Sequence, residues 1–122
     1  MTYQWLLFDA DGTLFDYDAA ERQALRRALS AFDLGFDAGV LDAYREINAR
    51  MWDEFELGNV TAEKLKSQRF ARLFAALELD VSLDAIDFSD RYLDYLGDCT
   101  DLMPEAMTVL NALQSRARLA LI

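Results

Sequence analysis

Trp5-Leu6-Leu7-Phe8-Asp9-Ala10-Asp11-Gly12-Thr13-Leu14-Phe15-Asp16 decides the fold, because an apolar run breaks there into two carboxylates, a glycine and a threonine. Tyr3 to Phe8 is short, apolar and aromatic, without helical period, and reads as a buried strand. A carboxylate at the end of such a strand stands where ladder hydrogen bonding stops and a crevice opens, the usual ligand position of open α/β sheets. Asp11 can share that crevice with Asp9. Gly12 permits the tight turn that brings both there, and Thr13 can donate its hydroxyl within it. Two close carboxylates repel unless a cation or donor sits between them. Oxygen ligands of this hardness favour Mg²⁺, and bound Mg²⁺ favours a phosphate oxygen as partner.

A calcium loop of the EF-hand kind is the competing reading of Asp-x-Asp-Gly-Thr. It needs further oxygen ligands, a nearby Glu and a helix on each side. Here a strand precedes, and Leu14 and Phe15 stand where ligands would fall.

The chain has 122 residues, 53% hydrophobic and 12% aromatic, enough for one domain with a core. The net charge of −10 argues against duplex DNA or RNA and against anionic membranes as partners. An anionic small substrate would need local help from a metal ion or nearby cations. Cys99 is the one cysteine and histidine is absent, which excludes an internal disulfide, a thiolate zinc cluster and a histidine-based triad. Cys99 reads as a small apolar filler. No segment reaches membrane-spanning length and the start lacks the features of a signal peptide, so a cytoplasmic location is the default expectation.

After Asp16 the pattern changes to helical. Asp18 followed by Glu21 resembles a capping box, and Leu25, Ala28, Leu29 and Phe32 continue the first helix to a stop at Leu34-Gly35. Val40, Tyr44, Ile47, Met51 and Phe55 form the stripe of a second, ended by Gly58-Asn59. Thr61 is the expected N-cap of a third helix, with Leu65, Phe70, Leu73, Phe74 and Leu77 on its apolar face. Ser82 or Asp84 starts a fourth, running through Ile86, Tyr92, Leu93 and Leu96 to Gly97. Four antiparallel helices with short connections make a bundle. Pro104 suits the first turn of a further helix, with Ala106, Val109, Leu110 and Leu113 on its apolar face, and Leu119 to Ile122 reads as a second buried strand. Strand, helical insertion, helix and strand predict a parallel crossover interrupted by a bundle.

Asp9-Ala10-Asp11-Gly12-Thr13-Leu14-Phe15-Asp16 resembles, without departure, the first motif of the haloacid dehalogenase-like (HAD) hydrolase superfamily. The resemblance implies an α/β fold: a Rossmann-like core of parallel strands, of which this chain holds the first part, with an inserted four-helix cap of type 1. Residues 1–16 would be the first core strand and catalytic loop, 17–100 the cap, and 101–122 the return to the core. It further implies that Asp9 is the nucleophile forming an aspartyl-phosphate and Asp11 the general acid/base. The Asp9 carboxylate and the Asp11 backbone carbonyl would bind Mg²⁺. Trp5, Phe15-Asp16, Trp52 and Gly58-Asn59-Val60-Thr61 most resemble the pyrimidine 5′-nucleotidases of that superfamily. The expected substrate is therefore a small phosphomonoester, a nucleoside 5′-monophosphate.

Gly12, Thr13, Phe15 and Trp52 are the candidate substrate-binding residues. Trp52 and Phe55 can stack on a base, although core is the favoured reading, Phe55 lying on the apolar stripe and Trp52 beside it. Phe15 and Tyr17 either face substrate or pack the hinge. Arg22, Arg26, Arg27, Lys64, Lys66 and Arg69 read as solvated helix faces rather than phosphate ligands, and Asp16 as a brace for the turn.

The family's second motif, with a phosphate-binding Thr or Ser, and its later Lys and acidic metal ligands have no counterpart here. The 122 residues alone are accordingly expected to be the N-terminal part of an enzyme, with little or no activity. Other phosphatases of the fold, a phosphomutase and a dehalogenase are the alternatives. A dehalogenase needs no acid at the second carboxylate, so Asp11 favours phosphoryl transfer. An inactive helical-bundle interaction fragment is the non-enzymatic alternative.

Overall fold

The computed structural model describes residues 2–79 and 82–122. The chain runs β1 (Trp5–Phe8), α1 (Tyr17–Ala31), α2 (Ala38–Glu56), α3 (Ala62–Ala76), α4 (Ala85–Asp98), α5 (Ala106–Leu113) and β2 (Arg118–Leu121). β1 and β2 pair in parallel, Trp5 opposite Arg118 and Phe8 opposite Leu121, although 109 residues of sequence separate the ends of the two strands. The expected α/β class, with helices inserted between two parallel strands, is what the chain forms.

The core lies among the four long helices. α1 packs on α4, α4 on α3, and α3 on α2. Tyr44, Phe70, Phe88 and Tyr92 are fully buried at their centre. The Phe70 ring stacks on Tyr44 at 5.5 Å and lies 4.8 Å from Phe88 and 5.1 Å from Tyr92. The two tyrosine hydroxyls meet at 3.2 Å, so neither phenol is buried without a partner. Among the described residues no helix is long and apolar enough to cross a membrane.

Several boundaries differ from the expectation. The N-cap of α1 is Asp16, whose carboxylate accepts from the Ala19 N–H at 3.1 Å, and not Asp18. Glu21 is drawn inward instead, to Arg45 at 2.8 Å, and so cannot close a capping box. α1 ends in a Schellman turn, Leu34 N–H donating to Leu29 and Asp33 N–H to Ser30. The left-handed residue of that turn is Asp33, φ 58°, where Gly35 had been expected to stop the helix. Gly58, φ 79°, plays this part for α2 as expected. Thr61 caps α3, and Asp84 caps α4. Ile86 is 62% exposed, whereas Phe88 two residues on is fully buried. α4 runs one residue past Gly97. Pro104 precedes α5 rather than lying in its first turn, since Glu105 takes a left-handed φ of 65° there.

The strands are not buried as expected. Leu6 and Phe8 are half-buried, whereas Trp5 and Leu7 are exposed. β2 begins at Arg118, one residue early, and Leu121 and Ile122 are exposed. Side chains alternate across a sheet with a period of two, and the described residues cover one face of this pair.

Asp16 joins the two parts of the chain, since its N–H also donates to the Asp101 carbonyl at 2.9 Å. Asp16→Ala removes the cap but not that backbone bond. The expected loss is about 1 kcal/mol of stability, read from the shift of a urea unfolding curve; no shift would show that the cap contributes nothing.

Candidate active site

The site is built on the turn that ends β1. The Ala10 carbonyl accepts from the N–H groups of Leu14 at 2.9 Å and Phe15 at 3.0 Å, and the Gly12 N–H donates back to the Phe15 carbonyl at 2.9 Å. Gly12 sits at φ 75°, where a side chain would be strained. The returning chain holds the turn from outside, through Met103 N–H to the Leu14 carbonyl at 2.7 Å.

This closed turn presents Asp9 and Asp11, both exposed. The Thr13 hydroxyl donates to Asp9 Oδ2 at 3.2 Å, leaving the other carboxylate oxygen free of hydrogen bonds among the described residues. Asp11 lines a cleft of about 280 Å³ together with Tyr17, Trp52, Phe55, Lys66 and Arg69. Both faces of the fold therefore contribute: the turn supplies a carboxylate, and α2 and α3 supply aromatic and basic groups. Trp52 and Phe55 meet edge to face at 5.6 Å and are 45% and 36% exposed. The core reading favoured for this pair is corrected, because the bundle closes below them at Met51 and leaves both rings on the cleft wall.

Tyr17 lies in this cleft, and burial, reinforced by Glu21, pushes its phenol up from the ordinary value. Beneath it burial pushes Tyr44 up to about 12 and Tyr92 further in the same direction. All three stay neutral hydrogen-bonding groups at physiological pH.

Phe15 does not line the Asp11–Trp52 cleft. It borders an apolar cleft of about 440 Å³ with Phe8, Leu14 and Leu110, and a polar groove shared with Asp11, Asp16 and Tyr17. The apolar cleft has no charged residue in its lining. Gly12 borders a further groove beside Asp11 and Asp16.

Arg69 escaped the sequence reading, which placed it on a solvated face. It is 5% exposed. The signal was its spacing: it lies four residues after Leu65 and four before Leu73, both buried, and so occupies the inward stripe of α3. Lys66, on the same helix, is exposed as expected.

Asp9 and Asp11 supply hard oxygen donors of the kind Mg²⁺ takes. Among the described residues no group of three or more His, Cys, Asp or Glu gathers to hold a metal. The pair therefore fits Mg²⁺ as part of a shell, an ion that ordinarily keeps several waters and binds through one or two carboxylates plus phosphate.

No family model matches the chain. The solved structure of the putative HAD-hydrolase YfnB from Bacillus subtilis superposes with a TM-score of 0.93 and 27% identity, over 100% of this chain and 53% of that one. In sequence and fold the chain is similar to HAD-like hydrolases. Pyrimidine 5′-nucleotidase PynA of Streptococcus pneumoniae is 33% identical over 116 residues, 95% of this chain and 48% of PynA. Pyrimidine 5′-nucleotidase YjjG of Escherichia coli is 25% identical over 122 residues, 100% of this chain and 52% of YjjG. This HAD-like chain thus spans about half the length of the curated relatives it matches. The YfnB structure is described as bound to magnesium.

Proposed function

We propose that the whole protein is a Mg²⁺-dependent phosphomonoester hydrolase acting on a nucleoside 5′-monophosphate. The observation that carries this reading is the pairing of an exposed, Thr13-oriented Asp9 with an Asp11 that faces an aromatic cleft. The names of PynA and YjjG support the nucleotide, and the magnesium in YfnB supports the ion. Residues 1–16 and 101–122 then act as the core, and 17–100 as the cap that selects the substrate.

Asp9, oriented by the Thr13 hydroxyl, attacks phosphorus through its free oxygen. The bond from phosphorus to the 5′ oxygen breaks, and Asp11 gives that oxygen its proton. An aspartyl-phosphate on Asp9 remains. Asp11, now a carboxylate, takes a proton from water as the water oxygen attacks phosphorus, which releases phosphate and restores Asp9. Asp9 and Asp11 would hold part of the shell of a Mg²⁺ ion, which would supply positive charge against the repulsion between an anionic nucleophile and an anionic substrate.

Phosphate release from a panel of nucleotides, sugar phosphates and phosphoglycolate tests this reading on the whole protein. Nucleoside monophosphates should be the best substrates, and EDTA should abolish release until Mg²⁺ is restored. Faster release from a sugar phosphate, or undiminished release in EDTA, refutes the corresponding part.

A further inference from the structure

Arg69 is a buried cation with no carboxylate within 4 Å among the described residues. Arg27, Arg45, Arg50 and Arg72 each have one at that range. In a chain with 22 acidic residues against 12 basic ones, a carboxylate at that place would be easy to supply. Burying a guanidinium is costly unless its charge and its five N–H donors are answered.

The answers found are partial and leave one edge open. Nε donates to the Lys66 carbonyl at 3.3 Å and Nη1 to Asn48 Oδ1 at 3.2 Å. The cation lies 5.0 Å from the Phe70 ring and 5.2 Å from the Tyr92 ring, so aromatic faces share its charge. Nη2 has no hydrogen bond among the described residues, and Arg69 lines the cleft that also holds Asp11, Trp52 and Phe55.

A ligand that completes this arrangement needs a flat ring for the aromatic wall and an acceptor oxygen for the open guanidinium edge. In the proposed reaction Asp9 and Asp11 already serve the phosphoryl group, so what remains for Arg69 is an acceptor elsewhere on the substrate. The neutral carbonyl oxygens of a pyrimidine ring suit that edge. Resting on the nucleotidase reading above, we propose that Arg69 is a specificity-determining residue that donates to a ring carbonyl of a pyrimidine base lying against Trp52. Adenine has no ring carbonyl and leaves the guanidinium edge unanswered, which is the usual origin of strong discrimination between hydrogen-bonding analogues.

Neutral nucleosides test this apart from the phosphate site. In a nitrogen-15 NMR titration of the whole protein, uridine should shift the Trp52 indole and Arg69 Nε signals, and adenosine should bind more weakly. Arg69→Lys keeps the charge but loses the fork, and should weaken uridine about tenfold while leaving adenosine unchanged. Trp52→Ala, at an exposed position, should weaken both. Uridine that leaves the wild-type Arg69 Nε signal unmoved overturns the proposal, and this arm holds even if the lysine variant fails to fold. Equal uridine affinity in a folded Arg69→Lys chain overturns it too. Either result, with phosphate still released from UMP by the whole protein, leaves the nucleotidase reading intact; absent release from every nucleotide sinks that reading instead.

Discussion

Asp9→Asn in the whole protein should lower phosphate release by about 10⁴-fold or more, the scale of losing a covalent nucleophile. The substitution is nearly isosteric and keeps an oxygen that can accept from the Thr13 hydroxyl, now at 3.2 Å, so the turn itself should survive. What disappears is the anionic oxygen free to attack phosphorus. The exposed position of Asp9 means that burial contributes little to the effect, and a thermal melt should be close to that of the parent. Asp11→Asn separates the two carboxylates further. It keeps the nucleophile and removes the proton carrier, so any phosphoenzyme that forms should persist, visible as label from a phosphorus-32 substrate retained on the denatured protein. Full turnover by Asp9→Asn sinks the covalent mechanism whatever Asp11→Asn does.

The parts of this fold that were legible in the sequence are those where one local signal acts alone. Thr61 caps α3 and Gly58 closes α2 because each residue type is matched to its backbone role and no neighbour competes. The turn that carries Asp9 and Asp11 was legible for the same reason, its geometry coming from a few contiguous residues around Gly12. Where two residues could serve, the sequence left the choice to tertiary packing. Asp16 and Asp18 can both cap a helix; Arg45 on α2 captures Glu21, removes the capping box and leaves Asp16. Arg69 shows the limit in the other direction. Arginine is ordinarily read as exposed, but its position between Leu65 and Leu73 on the inward stripe overrides residue type. Phe55 follows the helical period and Trp52 lies beside it, yet both are partly exposed where Met51 is fully buried, so their burial depends on where α2 leaves its neighbours. The strands were misjudged on burial because apolar composition does not say how many faces of a sheet are covered.

The largest stability effect should come from Phe70→Ala. Phe70 is fully buried and its ring is the shared neighbour of Tyr44, Phe88 and Tyr92, so its removal empties the point where α2, α3 and α4 meet. A Phe→Ala change in a well-packed core costs about 3–5 kcal/mol, through lost transfer energy and the cavity left behind. Two further terms act in the same direction. The Arg69 cation loses one of its two aromatic faces, and the aromatic pairs centred on the ring are lost with it. The expected fall in melting temperature is about 10–20 °C, enough to unfold a marginal domain near physiological temperature. Ile86→Ala on α4 is the matched comparison. It removes an apolar side chain of similar hydrophobicity from a position 62% exposed, and should change stability by no more than about 0.5 kcal/mol. The sequence reading runs the fourth helix through Ile86, and the structure leaves Ile86 exposed and buries Phe88. Comparable losses from Phe70→Ala and Ile86→Ala would therefore contradict the exposure of Ile86 and the burial of Phe70 against α4, and with them the packing of helices that holds Arg69 at the cleft.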